Sequence, residues 1–162
     1  MIMNLEKWNE IYLNNKRLDK IFYEKYKNDN ELYRKNVIEL LVELGEFVNE
    51  TKIFKYWTIK EPEKNKVLEE YADVITMSLT FMSEFNLELD NQYLHIESND
   101  KLELINYLYS KITLLMKKEN VIKDIFGNLL YLGELLNFNE EEILEAIETK
   151  HKIIKERLES DY

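Results

Sequence analysis

VIELLVELGEFVNET, residues 37–51, decides the reading of this chain. Val37, Leu40, Leu41, Leu44, Phe47 and Val48 recur at three- and four-residue steps, the period of a helix with one buried face. Glu39, Glu43, Glu46 and Glu50 keep the same period and fall within about 60° of arc beside that face, at about 100° per residue. EYADVITMSLTF, residues 70–81, repeats the arrangement: Glu70 and Asp73 line up with Met77, next to Tyr71, Val74 and Phe81. Residues three apart share a helix face, so Glu43 with Glu46, and Glu70 with Asp73, can each aim two carboxylates at one point.

Two such helices packed together bring four carboxylates into one place. Carboxylates beside apolar surface are costly unless they are paired or bind metal. A hard divalent cation with a preference for oxygen removes the repulsion, and Mg²⁺ is the expected ion. Glu43, Glu46, Glu70 and Asp73 are the expected ligands, with Glu50 an additional or outer one. A metal cluster held by acids alone commonly acts on phosphates by bridging their oxygens and activating a water. Glu46 is the residue expected to orient or deprotonate that water. Spacing alone leaves a plainer reading open, two solvated acidic faces, because 33% of the chain is charged.

Outward from these stretches the same period predicts an all-α bundle of about six helices, over roughly 4–27, 31–53, 66–85, 100–118, 121–136 and 140–159. Pro62 breaks the chain between the second and third. Asp100 with Glu103, and Asn139 with Glu142, have the spacing of capping boxes that open the fourth and sixth. Residues 86–98 read as irregular. Residues 1–162 are expected to form a single domain, with no repeat or linker. Three glycines and one proline give little turn chemistry for a β-rich fold.

The chain contains no cysteine, so a disulfide framework and a zinc–thiolate site are excluded, and a reducing cytoplasm fits. The opening MIMNLEKWNEIYLNNK lacks an apolar signal core, and no run approaches the length of a membrane span. A net charge of −10 argues against a nucleic-acid polymer as partner. A small metal-bound nucleotide remains compatible, because the cation reverses the local sign. Glu148 and His151 have the E-x-x-H spacing of di-iron bundles, which need two such units; this chain offers one. His151 is therefore expected to be exposed or at an interface.

ELLVELGEFVNETKIFKYWTIK (39–60) followed by LEEYADVITMSL (68–79) resembles the dimeric, all-α dUTP diphosphatases, within the MazG-like nucleoside triphosphate pyrophosphohydrolases. The tail AIETKHKIIKERLESDY (146–162) keeps Ala146, Lys150, Arg157 and Tyr162 in register with that family. The resemblance implies Mg²⁺-dependent hydrolysis of dUTP to dUMP and pyrophosphate by a homodimer. It places Asn15, in NKRLD, where the family has a base-reading Gln. Ile147, His151, Ile154, Leu158 and Asp161 depart from the family tail, which has Tyr, Asn, Asn, Gln and Gly there. Lys55 in FKYW is expected to bind phosphate as a point charge. Trp57 is expected to line a base pocket, while Phe54 fits the core. Lys150 and Arg157, seven apart on one helix face, are expected to clamp phosphates. Two alternatives stand beside this: a broader nucleotide pyrophosphohydrolase with a looser base pocket, and an acidic helical interaction module that has lost the chemistry.

Overall fold

The computed structural model describes residues 2–160, and the described residues form six α-helices with no strand. They are α1 (Leu5–Tyr26), α2 (Leu32–Thr51), α3 (Lys64–Glu84), α4 (Lys101–Leu114), α5 (Ile122–Leu135) and α6 (Glu140–Glu159). Leu115–Lys117 tighten into a 3-10 turn after α4. The expected helices agree to within two residues at most ends. The fourth differs most: its expected last turn is the 3-10 turn.

α3 is the central helix and packs against α1, α2, α5 and α6. It buries residues on almost every side, from Val67 and Leu68 through Tyr71, Val74 and Ile75 to Phe81 and Met82. A helix apolar nearly all round belongs in the middle of a bundle. Its polar exceptions satisfy themselves locally: Ser78 Oγ donates to Val74 O at 2.8 Å and Thr76 Oγ1 to Asp73 O at 3.0 Å. Tyr71, fully buried, donates to Leu129 O at 2.8 Å, which ties α3 to α5.

The helix ends follow their side chains. At α6, Asn139 Oδ1 accepts from Glu142 N at 2.8 Å while Glu142 Oε2 accepts from Asn139 N at 3.0 Å, a complete capping box. At α4 only half of the box forms. Asp100 Oδ1 accepts from Leu102 N and Glu103 N, but the Glu103 carboxylate takes the Ser98 hydroxyl at 2.6 Å instead.

Residues 85–100 have no helix but are held from three sides. Tyr12 Oη donates to Leu87 O at 2.7 Å, Met3 N to Asn91 O at 3.1 Å, and Ile96 N to Asn128 Oδ1 at 3.0 Å. Gly127 lets α5 approach this segment closely, since a Cβ there would run into the Leu94 carbonyl.

Candidate active site

α2 and α3 bring the two acidic pairs together. Glu43, Glu46 and Glu70 each contribute a carboxylate oxygen, and these oxygens lie within 4.8 Å of one another. Glu46 is exposed; Glu43 and Glu70 are half-buried against the apolar faces. One oxygen of Glu43 and one of Glu70 are buried with no hydrogen-bond donor among the described residues. Buried carboxylate oxygens without donors are expensive. A divalent cation with oxygen ligands is the group that this donor set fits.

The electrostatics agree with crowding. The Glu43 carboxyl is pushed up to about 7, first by burial and then by the Asp73 and Glu46 carboxylates. Glu70 is raised for the same reasons, burial first, then Asp73 and Glu46. Asp73 stands apart from the group of three. Its Oδ1 lies 2.6 Å from Lys150 Nζ on α6, a largely buried ion pair between the two helices. Burial raises the Asp73 carboxyl, and the Lys150 ammonium opposes that.

Next to the acids, a cavity of about 260 Å³ opens between α1, α2, α3 and α6. Glu43, Asp73 and Lys150 line its acidic end, and Arg157 also borders it. Asn15, Asp19, Thr76 and Thr80 form a polar wall, with Phe22, Met77 and Ile154 among the apolar lining. An acid cluster able to hold a cation thus adjoins a pocket with cations at one end and hydrogen-bonding groups at another.

A family model described as dUTPase matches residues 7–162. The chain belongs to the dimeric, all-α dUTPase family. It is accordingly a nucleoside triphosphate pyrophosphohydrolase that acts on dUTP. No curated protein matches the chain.

Within this dUTPase family fold, the expected site residues divide into two groups. Asn15, Lys150 and Arg157 meet at the cavity beside the acids. Lys55 and Trp57 do not: they sit on the connection between α2 and α3, away from the cavity lining. Trp57 is 63% exposed, and Ile59 on the same loop is 100% exposed. Phe54, expected in the core, is an exposed loop residue whose nearest ring is that of Trp57. With the exposed Tyr56 these make four large side chains on one loop that the core of the described residues does not take up. Tyr162 lies outside the described residues.

His151 corrects the sequence reading most clearly. It is 3% exposed rather than at the surface. Its Nε2 lies 2.9 Å from Asn15 Oδ1 and its Nδ1 3.1 Å from Asn14 Nδ2. Burial pushes the imidazole down to about 4, so the ring is neutral. Glu148 is exposed and the E-x-x-H pair does not converge.

Asp19, Thr76 and Thr80 escaped the sequence reading. Asp19 Oδ1 accepts from the Thr80 hydroxyl at 3.0 Å and Oδ2 from Asn15 Nδ2 at 3.3 Å. Burial pushes the Asp19 carboxyl up to about 6, against the pull of its Thr80 hydrogen bond. The signal was present: Asp19 lies four residues after Asn15 in NKRLD, on the same helix face.

Proposed function

We propose that the chain hydrolyses dUTP to dUMP and pyrophosphate in a Mg²⁺-dependent reaction at the cavity between α1, α2, α3 and α6. The observation that carries this is the convergence of Glu43, Glu46 and Glu70 beside a cavity lined by Lys150, together with the family membership. Glu43, Glu46 and Glu70 would hold Mg²⁺, with Asp73 joining them from its pair with Lys150. Bound there, the ion would neutralise charge developing on phosphate oxygens and acidify a water. Glu46, the exposed member of the three, would orient that water and accept its proton. Lys150 supplies a point charge to the phosphates and Arg157 a planar fork of donors. The base enters the apolar part of the cavity, where Asn15 meets its polar edge.

The whole of residues 1–162 acts as one dUTPase-like domain, in the cytoplasm, consistent with the absence of cysteine. No helix of the described residues is long and apolar enough to cross a membrane. The working form is a homodimer. Exposed Phe54, Trp57 and Ile59 support this, since contiguous apolar surface of this kind marks interaction sites. In that arrangement Lys55 and Trp57 serve a site at the subunit boundary rather than their own cavity.

The experiment is pyrophosphate release from dUTP, UTP, dTTP and dCTP with and without Mg²⁺. Release from dUTP that requires the metal supports the reading. Equal rates on all four favour the broader pyrophosphohydrolase, and metal-independent release refutes the assigned site.

A further inference from the structure

The buried ring of His151 sits behind Asn15 and holds the amide oxygen from the side opposite the acceptors that take its NH2. Three acceptors surround Asn15 Nδ2: Thr80 Oγ1 at 3.2 Å, Asp19 Oδ2 at 3.3 Å and Thr76 O at 3.4 Å. A carboxylate and a backbone carbonyl accept only, so the group facing them is the NH2. Asn15 Oδ1 therefore faces His151 Nε2, and that nitrogen must carry the proton. Nδ1 is then an acceptor, as its 3.1 Å contact with Asn14 Nδ2 requires. Each assignment forces the next, and the chain of contacts permits one tautomer and one amide orientation.

We infer that His151 is a positioning residue for base selection: by holding Asn15 Oδ1, it presents Asn15 Nδ2 and Asp19 Oδ2 to the cavity as an adjacent donor and acceptor that favour 4-oxo over 4-amino pyrimidines. A 4-oxo pyrimidine offers a carbonyl acceptor at C4 beside an N3–H donor. The Asn15 donor matches the first and the Asp19 acceptor the second. An entering base exchanges the 3.3 Å contact between Asn15 and Asp19 for two bonds of its own. A 4-amino pyrimidine has the reverse order, amine then lone pair. It would set donor against donor and acceptor against acceptor. Mismatched buried polar groups go unpaired, and that is the strongest form of discrimination a pocket has. Without the His151 donor, Asn15 Oδ1 becomes a buried acceptor with no partner, and the amide can tilt out of the donor–acceptor register on which this preference depends. The inference rests on the cavity being the base site, as proposed above.

The test uses the full chain. Ring-nitrogen NMR of the wild type should show His151 neutral and protonated on Nε2. The ratio of kcat/KM for dUTP to that for dCTP is then compared across variants. His151→Phe keeps a ring but loses the donor, and its ratio should fall about tenfold, the effect of one hydrogen bond, mainly through KM. His151→Gln retains an N–H donor and should restore most of the ratio. If His151→Phe does not fold, Asn14→Ala releases Nδ1 at an exposed position, and the ratio should fall about threefold, less than one full hydrogen bond. A ring protonated on Nδ1, or an unaltered ratio in a folded His151→Phe or in Asn14→Ala, overturns the inference. A wild-type chain inert toward every nucleotide overturns the functional reading instead, and the ring-nitrogen spectrum then decides for or against the lock.

Discussion

Replacing Lys150 by Met tests how the acids are balanced before metal arrives. Lys150 Nζ lies 2.6 Å from Asp73 Oδ1, with the two side chains 21% and 13% exposed. At an effective dielectric of about 20 this separation corresponds to about 6 kcal/mol of gross attraction. Desolvating the ammonium cancels much of it, but removing one partner of a largely buried pair leaves the other uncompensated. Asp73 would then face Glu43, Glu46 and Glu70 without its ammonium partner. A net loss of about 2–3 kcal/mol follows at pH 8, or a melting temperature lower by about 5–10 °C for a chain of this size. At pH 5 the loss should be smaller, because the raised Asp73 carboxyl can take up a proton. Mg²⁺ binding should move the other way. With no ammonium competing for Asp73, affinity should rise several-fold. Thermal melts in chelator and calorimetric Mg²⁺ titrations read both effects. An unchanged melting temperature together with weaker Mg²⁺ binding would refute the reasoning, and would make Lys150 a support for the Asp73 carboxylate rather than its competitor.

Three further outcomes are expected. Glu46→Gln should abolish hydrolysis while the metal-free melting temperature holds or rises, because one of three crowded charges is gone; near wild-type turnover at saturating Mg²⁺ would remove Glu46 from the site. Metal-free stability should fall as the pH rises from 6.5 to 8. Folded Glu43, pushed up to about 7, must give up a proton that the unfolded chain has already lost, and this outweighs the smaller opposite contribution of His151, whose unfolded imidazole is still partly charged near pH 6.5 while the buried ring is neutral. Glu43→Gln should flatten the slope in melts across that range, and a slope that survives would place the titration elsewhere. Gly127→Ala should destabilise the chain by several °C, since its Cβ meets the Leu94 backbone, whereas Gly45→Ala meets only the tip of Tyr109 and should cost far less; equal melting temperatures would contradict the close approach.

Local patterns in the sequence carried the fold. The helix period needs only neighbours a turn apart, and so do the Asn139–Glu142 box and the paired acids on α2 and α3. The partners of those groups were not legible, because they arrive from across the bundle. Lys150 reaches Asp73 from another helix, and His151 reaches Asn15 over a separation of 136 residues. A lone E-x-x-H unit leaves His151 expected at the surface or an interface, but α6 turns it inward to two asparagines of α1 and leaves Glu148 in solvent. Phe54 read as core because aromatic residues usually are buried. On a twelve-residue connection with no helix above it, nothing in its own chain covers it. Residues 86–98 read as irregular and are so, but their order comes from Tyr12, Asn128 and the space at Gly127, none of which a local pattern reveals.

The most direct measurement is calorimetric Mg²⁺ titration of the wild type beside the triple variant Glu43→Gln, Glu46→Gln, Glu70→Gln, with dUTP hydrolysis followed on the same samples. The account predicts that the wild type binds Mg²⁺ and releases pyrophosphate from dUTP, and that the folded triple variant does neither. Unchanged Mg²⁺ binding or retained hydrolysis in the triple variant would contradict it.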